Sequence, residues 1–303
     1  MQKRKRYTLV GDFMKVYMSS ERTKGISHVL EQFNLEEYRG KTVAIKANFN
    51  SADPFPASTH PDTLKTILAE LKKRDSRIIL AERSGMNDTT KVLDALGIFD
   101  LVSEYNGKVL VLDSLKKDQF SRIYGENWHR GFLLAQVLLD ADFVISTCCL
   151  KTHRFGGHFT LSLKNAVGAI ARYDPQDRYD YMRELHGSPH QRKMIAEINT
   201  AFPCSLVILD AVKGFSTMGP EQGKLIQPNM VLASTDRVAI DAVGVAILRY
   251  YSTTPEVEKG TIFEQEQIKR ASELNIGAKS AEDVEIVPLD EKSRAFSEKL
   301  KIS

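Results

Sequence analysis

The residues best equipped for catalysis lie in one segment of the chain, residues 151–168. Two lysines, an arginine and two histidines accompany three glycines there, and Asn165 directly follows Lys164. Apolar residues then repeat at helical spacing, so we predict a helix after residue 160 with Thr160 or Ser162 as its N-cap. Lys164 would therefore lie in the first helical turn.

Lys164 is the strongest candidate for a reactive group. The positive end of the helix dipole disfavours a further positive charge, and Lys151 and Arg154 would add to the repulsion. These effects predict a lowered pKa for the Lys164 amine, and a neutral amine can act as a base or a nucleophile. The alternative is that Lys151 and Lys164 keep their charges and bind an anion, since helix N-termini commonly bind anions through backbone N–H groups.

Histidines are concentrated in the same region, at His153, His158, His186 and His190. His153 and His158 are the candidate metal ligands, but no carboxylate stands at a recognised ligand spacing. The four-residue spacing of His186 and His190 would suit one helical face, although a nearby glycine and proline argue against a regular helix. Histidines that bind substrate or form hydrogen bonds are therefore favoured over metal ligands.

Asp241 is unusual because it lies in a segment, residues 236–248, that is apolar on almost every side. It aligns with Val238 and Val245 at helical spacing, which predicts a buried carboxyl group. A buried carboxyl must find a cation or a hydrogen-bond donor. Structural pairing is favoured, and a catalytic role stays open.

The elements that must position these residues are predicted from alternating patterns. Short apolar runs at 43–49, 77–81, 143–146 and 206–210 alternate with amphipathic segments. This alternation is typical of βαβ units, so we predict a three-layer α/β fold with a mostly parallel sheet and helices on both faces. The predicted organisation is an N-terminal extension (1–40), an α/β core domain (41–251) and a C-terminal extension of helices and a strand (252–303) packed on the core.

Polar residues follow several predicted strands, among them Asn48, Glu82 and Asp210. Ligands of open parallel sheets bind beyond the carboxyl ends of the strands, so we expect a site at this edge. The loop from Gly219 to Gly223 resembles a phosphate-binding loop, but only three residues separate its glycines and no Ser or Thr follows the lysine. It is weak support for nucleotide binding.

Composition excludes several classes of protein. The 303 residues have a formal net charge of only +3, which gives no argument for a nucleic-acid partner. The basic run at residues 3–6 is interpreted as a solvated tail. Three cysteines are too few for a disulfide framework or for a cluster of four thiolates, so no iron–sulfur cluster is expected from this chain alone. Without a long apolar run or an apolar leader, we expect a cytoplasmic protein with no membrane partner.

The chain between about residues 41 and 250 resembles the domain of unknown function 362 (DUF362) family, because a set of its residues follows the family's pattern in the same order. The set comprises Lys46 with Asn48, Lys151-Thr152-His153, Lys164-Asn165 with Gly168, Asp210, Gly219-Pro220, Gly223, and Ala233-Ser234 with Asp236 and Asp241. The resemblance implies an α/β domain that is sometimes fused to ferredoxin-like iron–sulfur modules. The present chain lacks the cysteines of such a module.

A more remote similarity is to lactate racemase-type enzymes, in the order of His153, a stretch of small residues and Lys164. The similarity implies that Lys164 would carry a nickel-pincer cofactor, with His186 or His190 working beside it. The glycine-rich run that precedes the lysine in those enzymes is replaced here by residues 158–163.

These observations favour an enzyme, of lyase, isomerase or redox-associated type, that binds a small anionic metabolite. We expect Lys164 or His153 to move a proton or form a covalent bond, with Asp241 as a third candidate catalytic residue. The candidate substrate-binding residues are Lys46, Asn48, Lys151, Asn165, Asp210, Gly219 and Gly223. Two alternatives stay open: a non-catalytic partner or assembly protein for iron–sulfur proteins, and a metal-dependent enzyme with histidine ligands.

Overall fold

The computed structural model describes residues 13–85 and 87–303, and a large sheet forms its centre. The strands are β1 (Met14–Ser20), β2 (Thr42–Lys46), β3 (Arg77–Glu82), β4 (Lys108–Val111), β5 (Phe120–Ile123), β6 (Phe132–Ala135), β7 (Phe143–His153), β8 (His158–Thr160), β9 (Leu206–Phe215), β10 (Leu225–Ile226), β11 (Met230–Ser234) and β12 (Val284–Pro288). The helices are α1 (Thr23–Leu30), α2 (Pro61–Lys72), α3 (Thr89–Ala95), α4 (Ile98–Glu104), α5 (Val137–Asp140), α6 (Ser162–Asn165), α7 (Tyr181–Gly187), α8 (Gln191–Ile198), α9 (Arg237–Tyr250), α10 (Pro255–Glu258), α11 (Glu266–Glu273) and α12 (Glu291–Ser297).

The main sheet has ten strands, eight of them in the order β12-β1-β11-β9-β7-β2-β3-β4. The run β9-β7-β2-β3-β4 is parallel, β11 is antiparallel to both of its neighbours, and β8 and β10 extend β7 and β9 as antiparallel hairpins. Strands β5 and β6 form a separate two-stranded sheet. The parallel run brings the ends of β2, β3 and β7 to one edge of the sheet.

Helices cover both faces of the sheet, which confirms the predicted three-layer α/β fold. Side chains alternate along β2, so that Val43 and Ile45 join one core and Ala44 joins the other. The first core includes buried residues of α1 to α4, and the second includes residues of α8, α9 and α11. Nearly continuous apolar strands are the expected result of burial on both faces.

The sheet includes strands from all three predicted parts of the chain. β1, from residues 1–40, lies between β11 of the core and β12 of the C-terminal part. The basic run at residues 3–6 lies outside the described residues. Among the residues that are described, no helix has both the length and the apolar character needed to cross a membrane.

Candidate functional site

A cavity of about 640 Å³ lies at the edge of the sheet where β2, β3 and β7 end. The strand ends line it together with the turn that carries α6 and the segment from residue 172 to residue 186. Its volume is typical of a pocket for a small ligand. The predicted site residues in its lining are Lys46, Asn48, Lys151, His153, Lys164 and Asn165.

Lys46 and Glu82 form a buried ion pair on the cavity floor. The two side chains are 3% and 1% exposed, and Nζ of Lys46 lies 2.5 Å from a carboxylate oxygen of Glu82. Glu82 also accepts the backbone N–H groups of Arg83 at 2.8 Å and Phe49 at 3.2 Å. The charge of Lys46 is therefore compensated within the protein.

Lys151 is held by neutral groups. Its amine donates hydrogen bonds to Oδ1 of Asn48, at 2.7 Å, and to the carbonyl of Ala57. The amide of Asn48 donates in turn to Oδ1 of Asn165 at 3.3 Å, and the amide of Asn165 donates to the carbonyl of Thr147 at 3.0 Å. This chain of amides fixes the strand ends to α6 and leaves the positive charge of Lys151 without a carboxylate partner among the described residues.

Lys164 differs from both because its amine has no hydrogen-bond or ion-pair partner among the described residues. The residue is 7% exposed and lines the cavity. Burial, reinforced by the positive charges of Arg83 and Lys151, lowers the pKa of Lys164 to about 8. The direction is the predicted one, but burial is its main cause, and the second neighbouring positive charge is that of Arg83 rather than that of Arg154.

His153 lies beside Lys164 and is 8% exposed. Its Nδ1 accepts the backbone N–H of Gly157 at 3.3 Å, so the proton of the neutral ring is on Nε2. Burial, followed by the charge of Lys164, lowers the pKa of His153 well below its usual range. The ring stacks with that of His186 at a centroid distance of 6.4 Å, and Nδ1 of His186 accepts a hydrogen bond from Gln191 at 2.7 Å. Both imidazoles therefore have Nε2–H as their donor.

Gly157 is required for the close approach of His153 and Lys164. A Cβ at this position would lie 2.8 Å from Nδ1 of His153 and 2.9 Å from Cε of Lys164. We expect Gly157→Ala to displace both side chains and to destabilise the protein by about 1–3 kcal/mol, the usual cost of overpacking. Urea unfolding measures this loss. Gly187→Ala is the control, because a Cβ there meets no atom within 4 Å; an equal loss in both variants would contradict the packing argument.

Asp241 is fully buried, as predicted, but it lies behind α6 and does not line the cavity. Its two carboxylate oxygens accept the backbone N–H groups of Ser162 at 2.7 Å and Leu163 at 3.1 Å. Burial, opposed by these two hydrogen bonds, raises the pKa of Asp241 to about 8. Asp241 thus supplies the cap from another helix, and the predicted N-caps Thr160 and Ser162 were wrong: α6 has no side-chain cap of its own and both hydroxyls are without partners.

At about pH 9, where Asp241 with its pKa of about 8 is ionised, we expect Asp241→Asn to destabilise the protein by about 1–3 kcal/mol, because an amide NH₂ would face one of the two N–H groups and leave it unsatisfied. Urea unfolding measures the loss. Asp118→Asn, at an exposed position, is the control and should change stability by no more than about 0.5 kcal/mol. Equal stability of the two variants would contradict the capping role of Asp241.

Three other predicted binding residues lie outside the cavity lining. Asp210 accepts hydrogen bonds from Arg22 at 2.8 Å and Thr63 at 2.6 Å, on the layer formed by α1 and α2. Gly219 and Gly223 shape the loop after β9, and a Cβ at Gly223 would collide with the carbonyl of Thr217. Their contribution is indirect, since this loop places Pro220 in the cavity lining.

The two candidate metal ligands do not share a site. His153 lines the cavity, whereas His158 lines a separate groove with Glu256 and Gln265. Over residues 13–85 and 87–303, no group of three or more His, Cys, Asp or Glu side chains is arranged to hold a metal ion. The amine of Lys164, which has no partner among the described residues, is chemically suited to covalent attachment of a cofactor.

The sequence analysis missed several residues of the cavity lining, among them Thr160 as a binding group, Arg83, Arg172 and Arg183. Arg83 directly follows the polar strand end at Glu82, so the strand-end rule could have found it. Its guanidinium donates to the carbonyls of Val167 and Ile170, at 2.7 and 2.8 Å, and thereby holds the turn after Lys164. Arg172 follows an irregular segment and has no comparable signal.

Comparison with known proteins gives one family and a structural neighbour. The model of a family described as "Domain of unknown function (DUF362)" matches residues 43–246. No curated protein matches the sequence. Among solved structures, the lactate racemase apoprotein from Thermoanaerobacterium thermosaccharolyticum is similar, with a TM-score of 0.48 and 16% identity over 78% of this chain and 58% of the racemase. The chain therefore spans little more than half the length of that racemase.

Proposed function

The chain belongs to the DUF362 family, and because that family's description names no reaction, we propose a function from the cavity itself. We propose a cytosolic enzyme that binds a small anionic metabolite at the carboxyl edge of the sheet. Lys164 acts as the base or nucleophile, and His153 acts as a neutral hydrogen-bond donor. The single observation that carries the proposal is the buried amine of Lys164, which lines the cavity without a partner among the described residues.

The charges of the lining support an anionic substrate. The cavity lining contains six basic side chains and only two carboxylates. The basic side chains are those of Lys46, Arg83, Lys151, Lys164, Arg172 and Arg183, and the carboxylates are those of Glu82 and Asp180. A cleft lined by an excess of one charge concentrates ligands of the opposite charge. An anion bound near Lys164 would also replace the interactions with water that burial removes.

The chemistry follows from the state of each group. An amine with a pKa of about 8 is neutral in about a tenth of the molecules at pH 7, far more than an ordinary lysine, and this suits a general base. It can take a proton from carbon beside a carboxylate, or add to a carbonyl carbon and form an imine with loss of water. The Nε2–H of His153 would stabilise the negative oxygen that develops in either step.

The alternatives from the sequence have less support. A non-catalytic partner of an iron–sulfur protein predicts an exposed interaction patch rather than a deep polar cavity.

A cytosolic location is supported by the three cysteines, which are all free, with Cys148 and Cys149 buried.

A ligand screen tests the proposal. Thermal unfolding of the wild type, Lys164→Met and the control Lys65→Met is measured with a panel of small carboxylates and phosphates; Lys65 is exposed on α2. We expect at least one ligand to raise the Tm of the wild type and of Lys65→Met but not of Lys164→Met. Identical shifts in all three proteins would contradict a role for Lys164.

A second experiment separates the two roles of Lys164. The wild type is incubated with 2-oxo acids and borohydride and then analysed by mass spectrometry. A reduced adduct on Lys164 would assign the nucleophile. If a carbon-bound proton of a ligand exchanges with deuterium in the wild type but not in Lys164→Met, and no adduct forms, Lys164 is assigned as the base.

A further inference from the structure

A second group of cations lines the same cavity, at Arg172 and Arg183. Neither forms an ion pair with a carboxylate of the described residues, and Nε of Arg172 is buried without a hydrogen-bond partner. Asp180 also lines the cavity; its Oδ1 accepts the N–H groups of Met182 and Arg183 at the start of α7, and its carboxylate forms no ion pair with either arginine. The guanidinium of Arg172 is therefore available to a ligand.

Arg83 interacts electrostatically with both Lys164 and Arg172. The charges that act on the Lys164 amine are those of Arg83 and Lys151, whereas Arg172 acts on Arg83. The guanidinium of Arg83 is itself used by the carbonyls of Val167, Ile170 and Ser84. The cavity lining thus carries unused positive charge in two places, at Lys164 and at Arg172.

The part of the cavity at Lys164 also offers a hydroxyl group. Oγ1 of Thr160 is buried without a hydrogen-bond partner, and Thr160 lines the cavity together with Lys164. A buried hydroxyl without a partner costs stability, and a ligand oxygen would relieve that cost. Val167 and Met182, which also line the cavity, would suit an apolar spacer between two charged ends.

We infer that the substrate carries two anionic groups, carboxylate or phosphate, one bound by Thr160 beside the reacting amine of Lys164 and the other by Arg172. This inference rests on the proposed function and deepens it by naming the substrate class. A ligand with one anionic group would leave the unpaired charge at one of the two places unused. A ligand with two groups joined by a short apolar chain would neutralise both.

Calorimetry with matched ligands tests the inference. Each pair consists of a ligand with two anionic groups and a ligand with one: succinate and butyrate, adipate and hexanoate, and 3-phosphoglycerate and glycerate. In the first two pairs the second anionic group is a carboxylate, and in the third pair it is a phosphate. We expect the doubly charged member of at least one pair to bind about tenfold more tightly, the value of one charge-assisted contact. Arg172→Met should abolish this preference. Arg178→Met should retain it, because Arg178 also packs over Tyr173 but does not line the cavity.

Each other outcome overturns the inference. Equal binding of both members of every pair, lost in Lys164→Met, would leave the proposed function in place and refute the second anionic group. A preference that persists in Arg172→Met would refute the assignment of Arg172. Failure of every ligand to bind the wild type at millimolar concentration would refute both the inference and the proposed function.

Discussion

Replacing Lys164 with methionine is expected to stabilise the protein at pH 7 by up to about 3 kcal/mol, although it removes the proposed reactive group. The reason is the lowered pKa of the buried amine, about 8 in the folded protein against 10.5 for an ordinary lysine. Each pKa unit corresponds to about 1.4 kcal/mol of differential interaction. A stabilising substitution at a functional position is the signature of a site that holds a group in an unfavourable environment.

The size of this effect depends on pH. Between about pH 8 and pH 10.5 the unfolded wild type binds more protons than the folded protein, so the stability of the wild type rises with pH. The advantage of Lys164→Met should therefore be full below about pH 8 and disappear as the pH approaches 10.5. Urea unfolding of both proteins across this range measures it. Lys65→Met should show no such trend, and a destabilised Lys164→Met at pH 7 would contradict the account.

Replacing Glu82 with leucine is expected to destabilise the protein by about 3–5 kcal/mol, because it leaves the buried charge of Lys46 without its partner. The N–H groups of Arg83 and Phe49 lose their acceptor at the same time. The midpoint of urea unfolding measures the loss. Glu36→Leu, which breaks an exposed ion pair with Arg39, should cost no more than about 1 kcal/mol.

A double variant isolates the ion pair within this loss. Lys46→Met combined with Glu82→Leu removes both charges, and we expect it to recover at least half of the stability that Glu82→Leu loses. If the double variant were as unstable as the single variant, the loss would come from packing or from the two N–H groups rather than from the unpaired lysine.

The fold could be predicted because its signal is local and repeated. Apolar runs at 43–49, 77–81, 143–146 and 206–210 correspond to β2, β3, β7 and β9, whose burial on both faces leaves little room for polar residues. The cap of α6 could not be predicted in the same way. Its carboxylate comes from Asp241, which is 79 residues away in the sequence from Ser162, whereas the sequence offered only the neighbouring Thr160 and Ser162.

The candidate site was predicted in part for a similar reason. Strand ends gave Lys46 and Lys151, because parallel strands end at one edge. Asp210 ends the apolar run 206–210 but lies in the middle of β9, and it shares the face of Ile208, whose side chain is in the core beneath α1 to α4. The register of β9 decides on which face of the sheet the Asp210 side chain lies, and a short apolar run does not reveal the register. The position of Arg172 in the cavity lining depends on the path of an irregular segment, which the sequence pattern does not predict.

The most direct test of the central claim is the titration of the Lys164 amine by NMR on protein with isotopically labelled lysine. The resonance is assigned by its absence in Lys164→Met. We expect it to titrate near pH 8, and to move to higher pH when a ligand with two anionic groups binds, since a bound anion favours the charged amine. A Lys164 resonance that titrates at the ordinary lysine pKa of 10.5 and does not respond to any anion would contradict the account.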